Sequence, residues 1–140
     1  MRSKKSDDGY FLYFDRGEKI LESIKRFVQE NEIPSGVLSG VGAVMNTRLG
    51  FYHLDRKKYD ERLFRDEAEL VSLLGNVSWF DGQPVIHCHV CIGDTEFRAM
   101  AGHLFEADVA VTVEIFLAVK GERIVRKFRP DVGLNLWDLS

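Results

Sequence analysis

The sequence predicts an α+β domain, with one main N-terminal helix packed on a largely antiparallel β-sheet. Three observations predict it. Apolar residues at Ile20, Leu21, Ile24, Phe27 and Val28 recur at the spacing of one helix face. Most of the remaining chain falls into short apolar or β-branched runs of strand length. Between two such runs stands Asp81-Gly82, the strongest hairpin signal present. The 140 residues, 45% hydrophobic and 29% charged, suit one domain with a buried core. Residues 1–9 read as a flexible tail and 10–140 as that single domain.

Taken in order, "YFLYF" (10–14) is a short strand. Asp15 stands where an N-cap belongs and Glu18 follows three residues on, the pattern of a capping box. Asn31 and Pro34 end the helix that follows. "SGVLSGVGAV" (35–44) is small and glycine-rich, so its backbone passes close to another backbone or lines a site. Its G-V-G does not complete a dinucleotide-binding glycine pattern. "TRLGFYHL" (47–54) and "KKYDERLF" (57–64) read as strands joined near Asp55 and Arg56. "ELVSLLGNVSWF" (69–80) turns at Asp81-Gly82 into "PVIHCHVCI" (84–92). "VAVTVEIFLAV" (109–119) turns at Lys120-Gly121 into "RIVRKF" (123–128).

Several function classes lose support at once. The apolar runs are strand-length and broken by charge, so no membrane span is expected. The polar opening "MRSKKSDDGY" lacks the apolar core of a signal peptide, and a cytoplasmic protein is expected. Cys88 and Cys91, three apart on one strand, make a poor disulfide pair, which suits a reducing compartment. The net charge of −3 lacks the positive excess from which phosphate-backbone binding draws its affinity. "RSKK" and "RKFRP" are short basic pieces that read as solvated.

The chemistry concentrates in "VIHCHVCIGDTEFRAMAGHLF" (85–105). On a strand, His87 and His89 project from one face, roughly 6.5–7 Å apart at Cα. That spacing lets both imidazoles reach one metal ion. Cys88 points to the opposite layer, and Cys91 lies too far along the strand from His87. A third ligand must come from elsewhere; His103, after Gly102, is available, with the glycine allowing a tight turn. On spacing alone, a metal site and a pair of ordinary sheet-face histidines both stand. His53 reads as a surface residue. Glu114, mid-strand among apolar neighbours, is either a candidate acid/base near the site or part of a solvated polar face. Asn76 and Ser78 share a face and read as partners for local backbone groups. Glu69 reads as solvated.

"SGVGAV" (39–44), "LGFY" (49–52), "ELVSLLGNVSWFDGQPVIHCHV" (69–90), "GHLFEADV" (102–109) and "TVEI" (112–115) together resemble the plants-and-prokaryotes-conserved (PPC) domain, found also in plant AT-hook nuclear proteins. The resemblance implies an α/β sandwich-like fold, a homotrimer, and a metal, typically zinc, on His87, His89 and His103. It departs from the family pattern at Ala101, Phe97 and Ala107, where glycines are usual, on the segment that delivers His103. The Arg-Gly-Arg-Pro hook by which the plant proteins bind DNA is missing, so the DNA-binding label carried by bacterial members transfers poorly. What transfers is a module for self-association and partner contacts. Strand 109–119 with Leu134, Leu136 and Trp137 is candidate interface material.

Two readings of function follow. One is a homotrimeric regulatory or interaction module with a three-histidine zinc site and room for a small-molecule ligand near the metal. The other is a zinc-dependent lyase or hydrolase of a small oxygen-rich acid, resembling acetolactate decarboxylase at the fold level only, with Glu114 as its catalytic acid/base.

Overall fold

The structure is a computed structural model that describes residues 1–140. The elements run β1 (Arg2–Ser6), β2 (Gly9–Asp15), α1 (Ile20–Glu30), β3 (Ser35–His53), β4 (Lys58–Phe64), β5 (Ala68–Phe80), β6 (Gln83–Gly93), β7 (Ala99–Lys120), β8 (Val125–Arg129) and β9 (Leu134–Asp138). The sheet order is β1-β2-β7-β3-β5-β8-β9, with β4 beside β3. Strand β6 pairs with both β5 and β7, and β3 also pairs with both. These four strands therefore close a ring of hydrogen-bonded pairs. No helix is long and apolar enough to cross a membrane.

The α+β expectation is corrected. Strand makes up 68% of the chain and helix 8%, in a mixed nine-stranded sheet that includes a parallel contact between β5 and β8 at Trp79 and Val125. Two segments account for most of the difference. The runs 35–44 and 47–54, read as separate strands, are one strand of 19 residues. A register shift between Gly40 and Gly42 lets it bend without ending. Residues 99–108, without obvious alternation, continue 109–119 into a strand of 22 residues. The expected tail is also corrected, because Arg2–Ser6 pairs antiparallel with β2.

Gly40 explains why β3 can lie between two neighbours. A Cβ there would come within 2.7 Å of the Glu114 carbonyl oxygen on β7. The close-approach reading of 35–44 holds. Side chains alternate across the ring. Leu12, Phe14, Leu38, Leu73, Cys88 and Leu117 are buried in the core, where Ile20, Ile24, Phe27 and Val28 of α1 join them.

Helix α1 starts later than the capping-box pattern implies. Asp15 and Glu18 do bond, from the Asp15 amide to the Glu18 carboxylate at 2.8 Å, but in the turn before the helix. The N-cap residue, Lys19, makes no side-chain cap bond. Glu106 of β7 supplies the acceptors instead, taking the amides of Leu21 at 2.8 Å and Glu22 at 3.0 Å. Sequence inspection missed this cap because the carboxylate comes from 85 residues away. Its charge also suits the positive end of the helix dipole. Glu106→Ala is expected to lower unfolding stability by about 1–2 kcal/mol, read as a lower urea midpoint. An unchanged midpoint would show that the cap contributes nothing.

Candidate metal centre

The alternation that buries Cys88 and Val90 turns His87 and His89 to the outer side of β6. The hairpin between β6 and β7 then sets the third ring. His89 and His103 are direct register partners, so their side chains rise from adjacent strands on one face. Ring centroids lie 5.2 Å apart for His87–His89, 5.2 Å for His87–His103 and 5.4 Å for His89–His103. One nitrogen from each ring falls within 4.8 Å of the other two. Nitrogens on a tetrahedral zinc stand about 3.3 Å apart, inside the 4.8 Å that bounds the three ring nitrogens here.

The delivery of His103 differs from the sequence reading. It comes from the interior of β7 rather than from a loop, and Gly102 makes no turn. That glycine serves a close approach, since a Cβ on it would lie 2.9 Å from the Gly50 carbonyl oxygen. Cys91 stands outside the cluster, as expected. Cys88 is fully buried, and burial first, then Glu106, pushes its thiol up to about 12, so it stays a protonated core residue.

Two aromatic rings hold His103. Tyr59 of β4 lies 5.1 Å from it and Phe105 of β7 lies 5.0 Å away. Its Nδ1 is buried with no hydrogen-bond partner. Buried ring nitrogens are rarely left so, and a nitrogen awaiting a cation accounts for it. Burial pushes the His103 pKa down to about 4, with smaller contributions from His87, His89 and Arg126. His87 is lowered too, by burial, then Arg126 and His89. Both rings are therefore neutral at pH 7, the form that ligates metal. The residues fit a zinc ion.

The same shift ties stability to pH. An unfolded histidine takes up its proton near 6.5, whereas folded His103 does so only near 4. Between those values the unfolded chain binds more protons, so stability is retained above 6.5 and lost as pH falls towards 4. Metal-free protein should show a lower urea midpoint at pH 5 than at pH 7.5, with a smaller difference in His103→Gln. Equal differences in the two proteins would remove His103 as a source.

Arg126 of β8 is the neighbour that sequence reasoning missed. "RKFR" (126–129) reads as solvated, yet its first arginine folds back. Its Nε donates to Ser78 Oγ at 2.7 Å, Nη2 to Asn76 Oδ1 at 3.3 Å, and Nη1 to the Asn135 carbonyl at 2.8 Å. Asn76 and Ser78 thus hold a side chain rather than local backbone, and Asn76 is the cross-strand partner of His87. No linear signal points to this contact.

Glu114 lies elsewhere. It is exposed on β7, opposite Tyr13 and Val41 and eleven residues along that strand from His103. Of the two readings of Glu114, a candidate acid/base near the site or part of a solvated face, alternation gives the second, with Val113 and Ile115 inside and Glu114 out. Within one chain it takes no part in the centre. Glu69 is exposed, and His53 pairs with Asp60 at 2.8 Å on the β3–β4 hairpin.

The sequence matches the family model of the Plants and Prokaryotes Conserved (PCC) domain over residues 1–120. The chain belongs to this family. Among solved structures, this PPC chain is similar to a plant- and prokaryote-conserved protein from Pyrococcus horikoshii, at 36% identity and TM-score 0.87, covering 98% of this chain and 93% of that one. It is similar to a metal-containing protein from Archaeoglobus fulgidus, at 33% identity and TM-score 0.86, over 95% and 94% of the two chains. A protein from Bacteroides thetaiotaomicron provisionally named as DNA-binding shares 33% identity at TM-score 0.94, over 98% and 96%. Acetolactate decarboxylase from Bacillus subtilis shares the fold alone, at 11% identity and TM-score 0.59, over 89% of this chain and 58% of that enzyme. No curated protein matches the chain significantly.

Proposed function

We propose that this PPC chain is a zinc-binding interaction module of the cytoplasm, holding its metal on His87, His89 and His103. The observation that carries the reading is the convergence of three ring nitrogens within 4.8 Å. The metal-containing relative from Archaeoglobus fulgidus supports it. When bound, zinc on three neutral imidazoles supplies Lewis acidity at an open fourth position. Elemental analysis of wild type should find about one zinc per chain, and His87→Ala should lose it. Zinc retained by the variant, or absent from the wild type, contradicts the reading.

Self-association is the second part of the proposal, with the homotrimer that the family resemblance implies. Its support is an apolar row on the outer face. Phe11 is 56% exposed and Leu74 62% exposed, and Phe11, Phe116, Ser39 and Leu74 are successive register partners across β2, β7, β3 and β5. They border a shallow groove of about 610 Å³. Exposed apolar surface of this kind marks a contact site. Of strand 109–119, only outward residues such as Val111 and Phe116 are free for it, because Val109, Val113, Ile115 and Leu117 are core. Trp137 adds a partly exposed ring on β9.

Neither rival reading gains as much. A lyase needs an acid or base beside the metal, and no carboxylate joins the three histidines. DNA binding needs free cations. Arg2, Arg16, Arg48, Arg56, Arg98 and Arg129 are taken up by carboxylates, and the net charge of −3 leaves no overall positive excess for such binding to draw on.

A further inference from the structure

We propose that the position beside the three histidines receives a small carboxylate, one oxygen directed to the metal and the other to Arg126. This inference rests on the zinc reading above and names the class of ligand for that site.

The guanidinium is the reason. Six other arginines of the chain find carboxylate partners at the surface. Arg126 is half-buried, yet all three of its acceptors are neutral oxygens: a hydroxyl, a side-chain amide and a backbone carbonyl. A partly desolvated cation without a counter-charge is costly, and it is kept where something else supplies the charge. The three bonds fix the plane of the group and still leave one N–H on each terminal nitrogen.

Its placement says what the remaining donors serve. Asn76, which holds Nη2, sits directly across from His87, so the guanidinium stands one strand from the histidine cluster. Zinc on neutral imidazoles keeps its two positive charges, and Arg126 adds a third. An anion between them offsets charge on both sides. A carboxylate has two oxygens on one carbon, one for each cation, and guanidinium–carboxylate bonds are among the stronger hydrogen bonds in proteins.

Cobalt(II) in place of zinc gives a visible spectrum that reports the fourth ligand. Wild type, Arg126→Lys and Arg126→Gln are each loaded with cobalt and titrated with acetate, and separately with inorganic phosphate, in a non-coordinating buffer. Acetate should shift the wild-type spectrum and saturate. Arg126→Gln should need about ten- to a hundredfold more acetate, the loss of a charged hydrogen bond, with Arg126→Lys between the two. Cobalt content should be equal in all three, which shows that the fold and the histidine cluster are intact. Equal acetate affinity in wild type and Arg126→Gln overturns the role of Arg126. A response to phosphate but not acetate overturns the carboxylate assignment. A wild type that stays colourless before any anion is added overturns the metal reading itself, and the two failures are thereby told apart.

Discussion

Phe11→Glu is expected to leave the protein monomeric, whereas the wild type is expected to sediment as the proposed trimer of about 48 kDa, three chains of 16.0 kDa. Phe11 projects from β2 onto the ring of Phe116, 5.2 Å away, at one end of the outer apolar row. A carboxylate forced into such a contact loses its hydration with no cation to replace it, a cost of about 3 kcal/mol or more at each interface. The free monomer tolerates the change because the side chain is already in solvent. Zinc content should be unchanged, since Phe11 pairs with Phe116, thirteen residues along β7 from His103. Lys25→Glu, on the exposed side of α1, should leave the trimer intact. A wild type that sediments as a monomer would contradict the assembly, and a trimeric Phe11→Glu would move the interface elsewhere.

Gly75→Ala should damage both the fold and the metal centre. Gly75 pairs with Cys88 on β6, and a Cβ there would run into the Cys88 Sγ and lie 2.5 Å from the His87 carbonyl oxygen and 3.1 Å from the Cys88 Cα. The sulfur belongs to a buried side chain and the other two atoms to the backbone, so the strands themselves must part. Overpacking of this kind costs about 1–3 kcal/mol. The displaced strand carries His87 and His89 away from His103, and zinc affinity should fall about ten- to a hundredfold, as when the support of a metal ligand is removed. Urea melts and competition against a chromophoric chelator measure the two effects. Gly121→Ala, with nothing within 4 Å of the added carbon, serves as the neutral comparison. A Gly75→Ala protein that melts and binds zinc like wild type would show that the approach of β5 to β6 does not set the ligand spacing.

What the sequence reveals here follows from the range of the interactions involved. The i, i+2 spacing puts His87 and His89 on one face, and the 3.6-residue period marks α1; both are local rules. The residue types also single out His103, but not its route. That depends on the register of β6 against β7, which places it opposite His89. The fold class is misjudged because bulges and small residues break the alternation on which strand recognition depends. The apolar spacing of α1 is clear, yet its N-terminal cap comes from Glu106 on a distant strand. Arg126 is the sharpest omission. Its neighbours along the chain suggest solvent, and only the folding back of β8 brings it to Asn76 and Ser78.

The convergence of His87, His89 and His103 on one metal ion is tested most directly by X-ray absorption at the zinc edge of the loaded wild-type protein. Three imidazole nitrogens at about 2.0–2.1 Å and one further light ligand are predicted. A sulfur shell at about 2.3 Å, or fewer than three imidazoles around the ion, would contradict it.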